Sequence, residues 1–508
     1  MERYDTAPTP DLFAPSTNFY NALVADLHHP ATSQLPHHEL EELLDRRGRL
    51  LLRQLLQDHL DLRALREEEA ARTRPPAVVG PDRLPRPRLE RGHQRQLATL
   101  FGTVVVRRCA WRHPGTTNVY PADSVLSLPK RRHSYSLARL AVLESVRASF
   151  DTATEAICLR CGPVIGKRQV EDLVVDAATD IDAFYRARIP APCTADTLLV
   201  ISADGKGIVM RPDSLRPATA RAAARRGLFR TRLAAGEKPA RKRMATLAAV
   251  YDAEPAPRRP HDVIAPPGGR HGRRRLRPGP HATAKWLYGS VIDDAATVIK
   301  TAFDQAEARD RGHRRDWLVL VDGAPHQLDL IQTEAARRGV TIHIVIDFVH
   351  VLEYLWGAAW SFHHSGDAAA EDWVAVHALN VLAGGAQHTA ETIETQAKTS
   401  KLTGPQRQGA NACIRYLTSK EPFLHYEHAL TAGWPIATGV IEGACRHLIA
   451  DRLDITGARW GLAGAEAVLK LRALISNGDL DTYWRYHLAQ EHHRVHQSAD
   501  DNQYRLTA

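Results

Sequence analysis

Three acidic residues stand apart in this chain because of where they fall. Asp204 ends the run TLLVISAD (197–204), Asp322 ends the apolar stretch of DWLVLVDG (316–323), and Glu442 lies in GVIEGACRHLIADRLD (439–454). The first two runs are rich in Val, Ile and Leu and read as buried strands, and ligand sites in open α/β sheets gather beyond the carboxyl ends of strands. Two such Asp residues can sit side by side although 118 positions separate them. Close carboxylates repel unless a cation lies between them. Mg²⁺ or Mn²⁺ suits the position, because it accepts a few carboxylates together with waters and phosphate oxygens. Glu442 reads as part of the first turns of a helix and could complete the set. Two ions roughly 4 Å apart in such a site would activate an attacking oxygen and stabilise a leaving one. Each residue also has a plainer reading. Asp before Gly after a strand is a common turn residue, and Glu near a helix start is favoured by the dipole, or by capping with Gly439 as the cap. Pattern by itself leaves both readings open.

The elements that would position these carboxylates can be read along the chain. Residues 17 to 72 carry Leu at helical spacing, and 73 to 94 form a Pro/Arg-rich linker. GTVVVRR (102–108) is a strand, half of a small sheet. SFDTATEAICLRCG (149–162) is a helix ending at Gly162, and a second helix lies within PVIGKRQVEDLVVDAATDI (163–181). This pair has the frame of a helix-turn-helix, with a plain helical hairpin as the alternative. Lys167, Arg168 and Gln169 near the start of the second helix are the candidate DNA contacts. Further strands are expected at 243–254 and 340–347 and helices at 292–310 and 325–338, giving an α/β sheet covered on both faces. From 351 to 430 the chain is Ala-rich and helical, an insertion into that domain.

Charge is distributed unevenly. The chain carries 67 Lys and Arg against 58 Asp and Glu, a net +9, yet residues 211–286 hold 19 basic against 5 acidic side chains, a net +14. That stretch should bind backbone phosphate without reading sequence. Hydrophobic residues at 44% and charged residues at 25% are ordinary for a globular protein. With no signal peptide at MERYDTAPTPDLF, six cysteines and no long uncharged apolar run, a soluble protein of the reducing cytoplasm is expected, with no membrane partner. Some signals lead nowhere. GPVIGK (162–167) has three residues between its glycines where a phosphate loop needs four, with Arg168 where it needs Ser or Thr. Cys158 and Cys161 lack a second pair for zinc, and EHHRVH (491–496) is not a zinc-protease motif.

VISADGKGIVMRPDSLR, RDWLVLVDGAPHQL, VIDFVHVLEYLWGAAW and the long block from GVIEGACRHLIADRLD to LDTYWRYH together resemble bacterial insertion-sequence transposases of the ISKra type, over about residues 95 to 490. The resemblance implies a transposase of the DDE class: a ribonuclease-H-like α/β catalytic core with a mixed sheet, interrupted by an all-helical insertion and preceded by a mostly helical DNA-binding region. It places the catalytic and metal-binding triad on Asp204, Asp322 and Glu442, and matches Asp347 and His350 to a D-x-x-H element like that of Mutator-like transposases. The partners implied are transposon ends and target DNA, bound by a homo-oligomer at the bacterial nucleoid. The domains expected are 1–94 and 95–190, a core at 195–350 with a basic insertion, the helical insertion at 351–430, core helices at 431–490 and a polar tail at 491–508. Lys206 and Arg446 are candidates for the scissile phosphate, Asp347 is grouped with the candidate DNA contacts, His350 is a candidate to orient Asp347 or touch DNA, and Trp460 one for stacking on a displaced base. The plainer alternatives are solvated charges, a satisfied histidine and core packing. Two rivals to a transposase stay open: a ribonuclease-H-like nuclease or resolvase that cuts without joining, and a transposase-derived DNA-binding protein with an inactive site.

Overall fold

The computed structural model describes residues 11–73, 76–189, 196–224, 241–267 and 276–496. The chain divides into two compact units, one of residues 1–184 and 480–508, the other of residues 185–479. The core helices expected as far as 490 therefore end at 479, and the helix Leu480–His496 belongs with the N-terminal region. The polar tail beyond 496 and much of the basic stretch, residues 225–240 and 268–275, lie outside the described residues.

In the first unit, the long leucine pattern forms two helices, Ala14–His28 and His37–Thr73, interrupted around Pro30 and Pro36. Strand β1 (Arg88–Thr99) pairs antiparallel with β2 (Gly102–Arg112), so the expected linker ends at 87 rather than 94. Leu60 from the long helix packs with Leu97, Val104 and Val106 of this hairpin. Helices Tyr135–Ser145, Phe150–Cys161 and Lys167–Ala177 pack on one another. Ser149 caps the second helix, and Gly162, at φ +79, terminates it in a conformation that suits glycine.

The second unit is a mixed α/β layer structure. Among its described residues, β3 (Leu198–Val209), β4 (Lys242–Ala253), β5 (Ala282–Ser290), β6 (Trp317–Val321) and β7 (Ile342–Ile346) form one sheet in the order β5-β4-β3-β6-β7. β3, β4 and β5 are antiparallel neighbours, whereas β3, β6 and β7 run parallel. β5 was hidden in sequence by the basic, Pro- and Gly-rich stretch around it. The side-chain alternation of strands sends Leu199, Ile201, Ala203, Trp317, Val319 and Val321 to one face, where they pack with helices Ala295–Arg309 and Pro325–Arg338. Helix Gly439–Ala444 packs on β3 and β4, and helix Leu462–Ser476 packs on β5. Asn477 bonds the Leu287 N–H (2.8 Å) and C=O (3.0 Å), occupying backbone groups of the edge strand. The helical segment after β7 comprises Phe348–Ala359, Ala368–Leu382, Ala386–Thr399, Gln408–Lys420 and Tyr426–Thr431.

Candidate active site

The sheet register brings three aspartates into one row. β3 and β6 pair as far as Ser202 with Leu320, and two residues on Asp204 is level with Asp322. β6 and β7 pair as far as Val321 with Ile346, so the next residues, Asp322 and Asp347, are also level. Adjacent strands lie roughly 4.8 Å apart, which sets the spacing along this row. All three continue the strand positions opposite to the large apolar cluster, the face that helix Gly439–Ala444 covers at β3. Sequence reading took Asp204 as the end of its strand. In the structure β3 runs on to Val209, paired with β4 throughout, and Asp204 marks where β6 stops alongside it. The turn reading of Asp204-Gly205 is thereby replaced by a mid-strand position.

Asp322 is half-buried. Burial first, and then the negative charge of Asp204, push its carboxyl above the usual range, with Asp347 adding to the effect. Gly323 follows at φ +84, and a Cβ there would lie 2.6 Å from Ile346 Cδ1, so the chain can leave β6 this way only with glycine. Asp347 is 1% exposed and serves as the N-cap of Phe348–Ala359, accepting from Val349 N–H at 3.0 Å. It also accepts from the Thr438 hydroxyl at 2.8 Å and from the Thr438 N–H at 3.3 Å.

Glu442 enters from the facing helix, whose N-cap is Thr438 rather than Gly439. The residue as a whole is exposed, but its carboxyl end lies 3.2 Å from Thr438 Oγ1. Partial burial and then the charge of Asp347 raise its pKa, with Asp322 contributing. Directly after this helix the backbone widens into a π-helical turn, Cys445–Ala450, in which Asp451 N–H donates to Arg446 C=O. The Cys445 thiol lies 3.1 Å from Asp204 Oδ2.

The helical segment braces the row. Tyr416 OH donates to the Asp322 carbonyl at 3.2 Å, and Tyr426 OH to the Ile346 carbonyl at 2.8 Å. Tyr416 stacks on Tyr354 with centroids 3.9 Å apart, and His350 meets both rings edge-on while its Nδ1 lies 3.0 Å from Glu353. Sequence reading missed Thr438, Cys445, Tyr354 and Tyr416 as neighbours of the site, and treated Asp347 as a DNA contact rather than a member of the row. For Asp347 the signal was present, since it too ends an apolar strand.

Other candidates fall as follows. Lys206 projects from β3 two residues beyond Asp204, on the same face. Arg446 is exposed one turn beyond Glu442. Trp460 is buried, its indole N–H donating to the Leu453 carbonyl at 2.9 Å and its ring covered by Arg452 at 4.7 Å, which places it in the core. In the other unit, Lys167 pairs with Asp151 at 2.7 Å and Gln169 accepts from Gly166 N–H at 3.0 Å, while Arg168 is exposed.

Asp204, Asp322, Asp347 and Glu442 offer oxygen donors, the kind of ligand that Mg²⁺ and Mn²⁺ prefer. Among the described residues, no group of three or more His, Cys, Asp or Glu side chains is placed so that it could hold a metal ion. Compared with protein families and with curated proteins, the chain matches none. Among the described residues no helix is long and apolar enough to cross a membrane.

Proposed function

We infer that this chain is a metal-dependent phosphoryl-transfer enzyme acting on DNA, and within that class a transposase that cuts at the ends of a mobile element and joins the freed 3′-OH to target DNA. The observation that carries the reading is the level row Asp204, Asp322 and Asp347 across three parallel strands, faced by Glu442. Burial first, and then neighbouring carboxylates, raise the pKa of Asp322 and of Glu442, and such crowding of negative charge is what a cation would relieve. The sheet order, antiparallel on one side of β3 and parallel on the other, is compatible with the ribonuclease-H-like core that the family resemblance implies.

In this reading Asp204, Asp322 and Glu442 hold the divalent ions. Bound Mg²⁺ supplies charge neutralisation at the scissile phosphate and makes the attacking water or hydroxyl more acidic. Asp347, already committed to Val349 and Thr438, orients Thr438 and through it Glu442. Lys206, on the face of Asp204, contacts the phosphate. Tyr416 and Tyr426 hold the ends of β6 and β7 still, so the carboxylates keep their spacing as charge develops. Exposed Arg168 and the basic stretch 211–286 bind DNA backbone, and joining two ends calls for an assembly of more than one copy.

The test is a strand-transfer assay with Mg²⁺, using a pre-nicked end made from the repeats that flank the coding sequence. Wild type is set beside Asp322→Asn. Joined product from wild type alone supports the assignment. Cutting without joining moves the chain to the resolvase-type nucleases. Binding without product from either protein identifies an inactive DNA-binding descendant.

A further inference from the structure

The hairpin β1–β2 of the first unit carries six Arg against one Glu over residues 88–112, a net +5. In the half nearest its turn, both edges and one face are already occupied. Gln57 closes the outer edge of β2, accepting from the Val105 N–H at 2.8 Å and donating to the Val105 C=O at 2.9 Å. On the outer edge of β1, the Ala98 N–H donates to the Arg132 carbonyl at 2.7 Å, and the Ala98 C=O accepts from Ser134 N–H at 2.8 Å. Leu97, Val104 and Val106 form the face that rests on Leu60 and Leu128. The opposite face is open. The register sets Gln94 against Arg107 and Gln96 against Val105, so these four side chains share that face, and Gln94, Gln96 and Arg107 are exposed on it. Arg91 is exposed at the bulge between Glu90 and His93, where Gly92 takes φ +76. A bulge bends and twists a ribbon that two strands alone already twist strongly.

Helix Lys167–Ala177, the element expected to read DNA, presents the opposite charge. It holds two basic residues against three acidic ones. Lys167 is paired with Asp151, Arg131 lies against Asp172 and Asp176, and the Gln169 amide is engaged by the Gly166 N–H. We propose that the open face of the β1–β2 ribbon is the surface that reads duplex DNA sequence, laid in the major groove with the Gln94 and Gln96 amides on base edges and Arg91 and Arg107 on the flanking phosphates. The B-form major groove admits a two-stranded ribbon, and a Gln amide pairs in two-point fashion with the N6 and N7 edge of adenine. Positions two residues apart on a strand are roughly 6.8 Å apart, two base-pair steps of roughly 3.4 Å, so the two amides meet alternate base pairs. The Arg107–Asp61 pair is partly exposed, and a phosphate can take the place of Asp61. The deep, narrow major groove of an RNA duplex would not admit the ribbon. This inference rests on the DNA-acting part of the reading above and not on its metal site.

The experiment measures fluorescence anisotropy of two labelled duplexes with the full chain over a salt series. One duplex is the repeat that flanks the coding sequence, the other a shuffled duplex of the same composition. Wild type should hold the repeat roughly tenfold or more tightly than the shuffled duplex. Gln94→Ala combined with Gln96→Ala should lose roughly tenfold on the repeat and nothing on the shuffled duplex, with melting temperature unchanged. Arg91→Ala should weaken both duplexes alike and lower the slope of log affinity against log salt by about 1. If the Ala pair melts below wild type, Gln94→Met combined with Gln96→Met, similar in length but without the amides, replaces it. A double variant that keeps the wild-type preference overturns the proposal, and a preference lost instead in Arg168→Ala returns recognition to helix Lys167–Ala177. Wild type that binds both duplexes alike also overturns it, while leaving an enzyme that acts on DNA without reading sequence. Wild type that binds neither duplex refutes the DNA reading itself, and the ribbon proposal falls with it.

Discussion

Neutralising Asp322 should make the metal-free protein more stable and the enzyme inactive. In the row, Asp322 lies level with Asp204 on one side and Asp347 on the other. Unit charges about 5 Å apart, the inter-strand spacing, repel by roughly 3 kcal/mol at an effective dielectric of about 20. Side-chain rotation and solvent at a half-buried position reduce this to about 1 kcal/mol. The pKa of Asp322 is raised, by burial first and by Asp204 next, so the folded state binds its proton more tightly than the unfolded state. The penalty on folding therefore grows as pH rises above the ordinary value of 3.8 and is complete above the folded pKa. At pH 7.5 in EDTA, Asp322→Asn should melt about 2–3 °C above wild type, a gain that disappears below pH 4. Adding Mg²⁺ should stabilise wild type by mass action and leave the variant nearly unmoved, reversing the order. Strand cutting should fall at least a hundredfold in the variant. The assay is a thermal melt with and without Mg²⁺ beside a cleavage time course. A variant that melts at or below wild type in EDTA and cuts DNA at the wild-type rate refutes the reasoning, because Asp322 would then be only a turn residue.

Gly323→Ala places a Cβ 2.6 Å from Ile346 Cδ1 at φ +84, and should lower stability by about 1–3 kcal/mol, read from a denaturant midpoint. Glu67, 1% exposed against the β1–β2 hairpin and accepting from Cys109 N–H, is pushed up to about 7 chiefly by burial. Its penalty sets in as pH rises from 4.5 through 7, so Glu67→Gln should raise the melting temperature by a few degrees at pH 8 and hardly at pH 5. A Gln variant with the same gain at both pH values would contradict this. Arg168→Ala should leave melting unchanged while weakening DNA binding and reducing the slope of log affinity against log salt by about 1, measured by fluorescence anisotropy across a salt series.

The parts of the fold legible in sequence are those that local chemistry dictates. The Ser149 cap and Gly162 stop bounded one helix, and Pro325 with Gly339 bounded another at Pro325–Arg338. The apolar runs before Asp204, Asp322 and Asp347 were visible because strands buried on both faces are apolar throughout. β5 was not visible, because its Trp286, Leu287 and Tyr288 follow a basic, Pro-rich stretch that dominates the local composition. For Trp460 the sequence left base stacking and core packing both open, and only tertiary packing, with Arg452 over the ring and the Leu453 carbonyl on the indole N–H, puts it in the core.

The sequence by itself determined that three strands end in, or pass through, a carboxylate and that Glu442 begins a helix, because strand and helix periods are local properties of the chain. That Asp204, Asp322 and Asp347 stand level was decided only by the parallel register of β3, β6 and β7, a pairing between segments more than a hundred residues apart for the first two. Tertiary packing likewise decided that Thr438 and Cys445 meet Asp347 and Asp204, and that Tyr416 reaches the Asp322 carbonyl. Hydrogen bonds between distant segments leave no periodic trace in sequence. The carboxylates were therefore readable one by one, while the contacts that make them a site were not.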